Sequence, residues 1–585
     1  MLKLNTTYMF PDLNEITNKN ISRAHEADLP ELAGNPHRNF ILQWKNIAEL
    51  LNRRCEEFSE KEFIAFYENE FGEPLVSRLK YKEIHSMVSK TMQLMDSLRI
   101  PENASIAIVD LFNHSDTVVI LLAAWCRGNL VVPINMEEDK KRIEFILKSS
   151  DVKAAFIRER HLNAFNEINL NTEIKTLVQL GGKKSSLPFY SEEIKSYSEK
   201  KIPEGVTLSR HALLVYTSGT TGNPKGVLLS QKLLYDVDGV VSFHGFNEND
   251  VFITAMRLFH VNAIITSMMA SLYCGAKLVL MQRWSPKQFW EILNNEMVTT
   301  TSVVPAMLAD LIREDEKIDG KYPAIKKHFR VLICGAGTLK KIVAQEFIKK
   351  FGIKITHGWG MSETTCWGCW LPHDLSRKEY HHLMFDFEAP SIGTPLRHNK
   401  MGIIDKNGKI LGENQKGQIV IAGRNIMERY DKRPDANQDT FKHGFLETGD
   451  EGFYILDSKK LPMFFITGRL KDIIERGGEK FSPYLMDEDL SKMKGVKNAM
   501  VFGFPHKRFG QEVGVVFEME KEKELLPEDL WRYCKSIGYS WAKTPKEIRV
   551  VDKIPKTSTG KETRKQFGEL FKDCFEKHYK KPEWF

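Results

Sequence analysis

Lys225 is singled out by the residues before it. In Tyr216-Thr-Ser-Gly-Thr-Thr-Gly-Asn-Pro-Lys-Gly226, the hydroxyls of Thr217, Ser218, Thr220 and Thr221 flank Gly219 and lead to the lysine. Glycine lets several backbone N–H groups converge on one anion, hydroxyls add donors, and lysine adds a mobile positive charge. That combination cradles a phosphate. No frame from Gly219 to Gly226 fits the Gly-x-x-x-x-Gly-Lys-Ser/Thr spacing of a Walker loop, so the cradle is of another kind. A second lysine, Lys561, stands in Pro555-Lys-Thr-Ser-Thr-Gly-Lys561-Glu-Thr-Arg564. From such a turn a long ammonium can reach charge that builds on a reacting group. Two carboxylates complete the set. Glu363 follows the turn Gly358-Trp-Gly-Met-Ser362, and Asp450 closes Thr448-Gly-Asp450.

In this order the segments resemble the signature of the adenylate-forming superfamily, which includes acyl-CoA synthetases, peptide-synthetase adenylation domains and luciferases. Residues 216–226 resemble its phosphate loop, Gly358-Trp-Gly-Met-Ser-Glu-Thr364 its second nucleotide motif, and Thr448-Gly-Asp450 its ribose motif. Gly468-Arg-Leu-Lys-Asp472 resembles its hinge, and 555–564 its catalytic-lysine loop. Weaker echoes begin near Trp44 and run through Val132-Pro-Ile-Asn135, so nearly the whole chain beyond residue 40 is covered.

The resemblance implies an ATP-dependent acid–thiol ligase. A carboxylate and ATP give acyl-AMP and pyrophosphate; coenzyme A then gives acyl-CoA and AMP. It places the nucleotide at Thr217, Ser218, Gly219, Thr220, Thr221 and Lys225, at Gly335-Ala336-Gly337, and at Gly358, Trp359 and Ser362. Asp450 would accept from the ribose hydroxyls, with Arg469 as ribose and phosphate partner. Glu363, with Thr220, would hold Mg²⁺. Lys561 would serve the first half-reaction. Lys471 would be the hinge, and Gly477 and Gly478 would line a tunnel for pantetheine. Phe259, His260 and Gly360 would shape the acyl pocket.

His260-Val-Asn262 lacks the acid that amino-acid-activating relatives carry beside the aromatic, which argues against an α-amino acid. Acetate-activating members carry Trp at the position of Gly360. Glycine there implies an open pocket and a medium- or long-chain fatty acid, with an aryl acid as the alternative. The alternative acceptor is an acyl-carrier protein. A non-catalytic nucleotide-binding module would not need Lys561, Glu363 and Asp450 together. There are departures: Trp359 stands where Tyr is usual, Ser362 where Thr is common, and Glu428-Arg-Tyr430 where the family has Gly-Tyr, which puts the local turn in question.

These residues need a scaffold. Buried-strand runs at 104–109, 130–133, 277–280, 331–334 and 353–356 alternate with helical patterns at 81–98 and 115–126. Such alternation predicts α/β architecture with parallel sheets covered by helices. The expected organisation is an N-terminal arm over 1–40, then a large domain over 41–470 with a β subdomain from about 392. A small, mobile α/β domain over 471–585 completes it.

The chain has 585 residues, 42% hydrophobic and 28% charged, as in ordinary soluble proteins. Its net charge is +7; residues 531–585 alone hold 14 Lys/Arg against 7 Asp/Glu. That bias suits a polyanionic partner such as ATP, CoA or an acidic carrier. No nucleic-acid motif accompanies it. Cys366 and Cys369 make a lone Cys-x-x-Cys without the further ligands zinc requires, and eight cysteines do not suggest a disulfide framework. The apolar run 117–126 is shorter than the roughly 20 residues that cross a bilayer, and the N-terminus lacks a signal-peptide core. A cytoplasmic protein without a transmembrane segment is therefore expected.

Overall fold

The computed structural model describes residues 13–26, 29–33, 42–69, 74–172, 174–217, 224–314, 321–520, 525–555 and 564–585. Ser105–Val109 is central in its sheet, between the parallel strands Leu130–Ile134 and Val152–Arg158, and buried from Ile106 onward, with Ile106 and Ile108 in one core and Ala107 and Val109 in another. A strand covered on both faces reads as a continuous apolar run. Thr176–Leu180 extends this sheet at one edge. Towards the other edge follow His211–Thr217 and, antiparallel to it, Lys225–Ser230. The helix Ser115–Arg127 is buried along nearly its whole length, so it is apolar all round. It stops at Gly128, whose φ of 78° is a left-handed position that glycine adopts without strain.

A larger sheet runs through thirteen strands in one hydrogen-bonded order. Six are parallel: Glu62–Glu68, Lys277–Met281, Val251–Thr254, Thr300–Val303, Val331–Cys334 and Ile355–Trp359. The short strand Cys369–Trp370 pairs antiparallel with Ile355–Trp359 and with Ser391–Pro395. Through it the sheet passes into Pro462–Arg469, Leu446–Leu456, Gly417–Gly423 and Asn399–Ile404. The short strands expected after 392 thus continue the parallel sheet.

A smaller C-terminal domain follows. The hairpin Val496–His506 and Gly510–Met519 pairs with the parallel strand Glu547–Val551. Helices Pro483–Leu490 and Pro527–Ser536 cover it over a separate core that includes Met486, Val501, Val515 and Leu530. At the other end of the chain, the helix Leu13–Ala24 leads to residues 29–33, which lie on the antiparallel strands. Ala33 exchanges backbone hydrogen bonds with Met401 at 2.8 and 2.9 Å, and Leu29 and Leu32 join a core with Ile404, Val420 and Phe445. Among the described residues no helix is long and apolar enough to cross a membrane.

Candidate active site

Thr217 and Lys225 face each other across the first sheet as the last and first residues of antiparallel strands. The residues on either side of the expected phosphate loop are therefore paired with each other. Ser218, Gly219, Thr220 and Thr221 lie outside the described residues, as does Lys561. Lys225 directs its ammonium over the ring of Tyr430, 4.7 Å from the centroid.

Tyr430 connects this lysine to Glu363. Its hydroxyl donates to Glu363 Oε1 at 2.7 Å. Burial and the adjacent Glu363 carboxylate raise the phenol pKa, so the hydroxyl keeps its proton and donates. The segment Glu428-Arg-Tyr430, which the sequence left in question, is resolved by pairing. Arg429–Tyr430 is a short edge strand against Lys225–Ser230, with Arg429 facing solvent. Glu428 accepts from Ser230 Oγ at 2.7 Å and Lys232 Nζ at 2.9 Å. A larger residue replaces glycine here because its side chain points outward while the backbone is held in a ladder.

The same segment holds Glu363 a second way, as Met427 N–H donates to the Glu363 carbonyl at 2.8 Å. The Met427 carbonyl in turn accepts from His25 Nε2 at 3.0 Å, which ties the N-terminal segment to the support of Glu363. Burial lowers the His25 pKa. No sequence motif signalled this contact. The Glu363 side chain is only 6% exposed. A buried carboxylate with one oxygen held by a hydroxyl is a hard donor of the kind Mg²⁺ takes.

Asp450 and Arg469 are directly opposed on neighbouring strands, and Arg469 Nε lies 2.8 Å from Asp450 Oδ1. The Asp450 charge raises the Arg469 pKa further. Trp359 was expected at the nucleotide, in place of the usual Tyr. The structure gives it a further role: its indole N–H donates to Asp450 Oδ2 at 2.9 Å. Where tyrosine would supply a hydroxyl, the indole fixes the carboxylate.

Beyond Glu363 the chain makes a strained turn. Thr365 has φ 63°, a conformation that costs a non-glycine residue about 1–3 kcal/mol. It is over-determined by buried polar contacts. Thr365 Oγ1 donates to the Asn425 carbonyl at 2.6 Å. Asn425 Nδ2 donates to the carbonyls of Trp367 at 2.7 Å and Thr364 at 3.0 Å. Trp367 N–H donates to Asp236 Oδ2 at 3.1 Å, and His398 Nε2 lies 3.6 Å from Asp236 Oδ1. Burial pushes the Asp236 carboxyl up. Asn425→Ala would take the side-chain donor from the buried Trp367 carbonyl, while the Thr364 carbonyl keeps the Cys366 N–H at 2.7 Å, so we expect a loss of about 1–3 kcal/mol. Urea unfolding measures it; an unchanged midpoint would show that the loop is held without Asn425.

Two of the expected site glycines have packing roles around this turn. Gly335 was expected at the nucleotide. The space a Cβ would take there is filled by Trp367, whose ring atoms would lie 2.5 Å from it. Gly360 was expected to leave the acyl pocket open. A Cβ there would lie 1.8 Å from the Cys366 carbonyl oxygen, so a close backbone approach already requires this glycine. Gly358 likewise makes room for Trp370. Trp367 and Trp370 pack together, centroids 4.8 Å apart, and neither belongs to a motif of the sequence. The available signal was three glycines at 335, 358 and 360 preceding two tryptophans.

Of the remaining pocket residues, Phe259 is buried edge-on against His260, centroids 4.4 Å apart. Ala336, between the two glycines of its motif, takes φ 59°. Gly337 has ordinary contact room beside Pro305. Ser362 opens the short 3-10 turn that contains Glu363.

Lys471 lies in the turn Leu470–Asp472, between the last strand of the large sheet and the first of the small domain. Burial and the Arg469 charge lower its pKa. Gly477 and Gly478, with φ 57° and 90°, form the two-residue turn between Ile474–Arg476 and Glu479–Phe481. Their glycine requirement is thus already met by turn geometry. Arg564, the first described residue after the lysine loop, pairs with Asp487 and covers the Tyr484 ring at 4.2 Å. Tyr484 donates to Asp472 Oδ2 at 3.0 Å, so Arg564 is anchored close to the turn that holds Lys471.

A family model described as AMP-binding enzyme matches residues 51–431, and one described as AMP-binding enzyme C-terminal domain matches 486–561. The chain is 30% identical over 467 residues to a sulfoacetate–CoA ligase of Cupriavidus necator, covering 78% of this chain and 86% of that protein. It is 25% identical over 513 residues to an oxalate–CoA ligase of Arabidopsis thaliana, covering 84% and 93% respectively. The crystal structure of ATP-bound MatB from Rhodopseudomonas palustris superposes with a TM-score of 0.79 at 22% identity, covering 91% of this chain and 100% of that one.

Proposed function

Because the chain belongs to the AMP-binding enzyme family and is an AMP-forming acid–CoA ligase, we propose that its acid is short. The observation that carries this is the placement of Trp367. Its indole N–H donates to Thr266 Oγ1 at 2.7 Å on the helical segment that follows Phe259 and His260. Its ring meanwhile rests on Gly335 at the end of the strand Val331–Cys334. The side chain therefore bridges a helical wall and the sheet, and it is 1% exposed. The expectation of a medium- or long-chain fatty acid rested on an open Gly360, and a close backbone approach already requires that glycine. The relatives named for sulfoacetate and oxalate act on acids of the proposed size.

In this reading the carboxylate attacks the α-phosphorus of ATP, pyrophosphate leaves, and the thiolate of coenzyme A then displaces AMP from the acyl carbon. Lys225 faces the phosphates, Asp450 and Arg469 hold the ribose, and Lys561 meets the charge that builds on the α-phosphate. Mg²⁺, when bound by Glu363 with Thr220, neutralises phosphate charge. Domain rotation about Lys471 separates the two half-reactions.

The test is kcat/KM for straight-chain acids from acetate to dodecanoate, in the wild type and in Trp367→Leu. We expect wild-type activity to fall steeply beyond the shortest acids, and the variant to recover longer ones by about fourfold per methylene newly buried. A wild type that prefers dodecanoate, or a variant with the same profile, would sink this reading.

A further inference from the structure

Asn262 is 4% exposed, and neither its Oδ1 nor its Nδ2 has a hydrogen-bond partner. A buried carboxamide with both ends unmet is costly and calls for a ligand. Its position says where that ligand lies. Asn262 opens the π-helix Ala263–Met269, one turn ahead of Thr266, and so shares a face with the residue that holds Trp367. π-helical turns of this kind recur at functional sites. Next to Asn262 in sequence are Phe259 and His260, and one turn deeper stands Trp367. On the strand Thr300–Val303, against which this helix packs, the buried Ser302 hydroxyl is also unpartnered.

We infer that Asn262, with Ser302, forms a subsite for a neutral hydrogen-bonding group on the tail of a short acid. The inference rests on the short-acid reading above. The chemistry of the amide narrows it further. Oδ1 accepts only and Nδ2 donates only, so meeting both takes a group that donates and accepts. A hydroxyl or a carboxamide does this. A carboxylate or sulfonate accepts only, and would leave Oδ1 buried and unmet. The substrate class is therefore a short hydroxy acid or half-amide, which sets this chain apart from the dianionic acids named for its relatives.

The experiment compares acids of matched size on the full-length protein with ATP, Mg²⁺ and CoA, reading pyrophosphate release. The pairs are 3-hydroxypropionate against butyrate, and malonamate against malonate. We expect the hydroxy acid and the half-amide to lead their partners by about 10–100-fold in kcat/KM, the scale of one unmet buried polar group. In Asn262→Leu that lead collapses and butyrate gains, while KM for ATP stays near the wild-type value. Ser302→Ala gives the same selective loss if Asn262→Leu does not fold. A wild type that favours butyrate or malonate overturns the inference, as does a variant that loses all acids equally. Failure of the short-acid reading shows itself separately, as turnover of long chains by the wild type.

Discussion

Lys561→Ala lowers acyl-adenylate formation by about 10²–10³-fold, the scale on which removing one electrostatic stabiliser slows a reaction. It leaves the conversion of supplied acyl-AMP and CoA to thioester close to wild type. The first effect follows from charge. A carboxylate and a triphosphate are both anionic, and negative charge grows on the α-phosphate as pyrophosphate departs. The second effect follows from position. The lysine belongs to a loop whose far end, Arg564, is fixed to Asp487 in the small domain. Asp487 lies on the helix that also carries Tyr484, hydrogen-bonded to Asp472 next to Lys471. A rotation at the proposed hinge, 470–472, would therefore move Arg564 with the small domain relative to Asp450 and Glu363. Separate assays of pyrophosphate exchange and of thioester formation measure the two steps. Equal losses in both would show that Lys561 serves the whole cycle or only the fold.

Local pattern made the parallel strands legible, and motif spacing did the same for the polar residues that converge. The run at 104–109 is apolar because both of its faces are packed, Ile106 and Ile108 in one core and Ala107 and Val109 in another, and an unbroken apolar run reports such burial directly. Asp450 and Arg469 belong to separate motifs, and the strand register places them opposite each other. What stayed hidden depends on contacts between distant segments. Gly335 and Gly360 carry no sign of which neighbour uses the space they leave. The occupants, Trp367 and the Cys366 carbonyl, reach them only once Asp236 and Asn425 have folded the turn at Thr365. Tyr430 was visible as a tyrosine, but its bond to Glu363 requires the edge strand Arg429–Tyr430 to return to the other sheet. The contact between His25 and Met427 spans most of the chain and leaves no periodic trace.

That returning strand makes Glu363→Gln an informative change. Glutamine keeps an oxygen that can accept from Tyr430, and the backbone bond from Met427 is untouched, so the turn stays in place while the negative charge is lost. We expect adenylation to fall by about 10²–10³-fold, because a neutral amide holds Mg²⁺ poorly and the phosphate charge goes uncompensated. Raising Mg²⁺ should recover part of the rate. Tyr430→Phe makes the opposite change: the charge remains and the hydrogen bond is lost. Its cost should be smaller, about 1–3 kcal/mol for an unmet buried partner, with the Mg²⁺ dependence of the wild type retained. Pyrophosphate exchange over a Mg²⁺ titration separates the two. If Glu363→Gln keeps the wild-type Mg²⁺ midpoint while losing rate, Glu363 positions the turn and does not hold the cation. If Tyr430→Phe shifts that midpoint as far as Glu363→Gln does, the phenol orients the carboxylate for the metal and the two act as one unit.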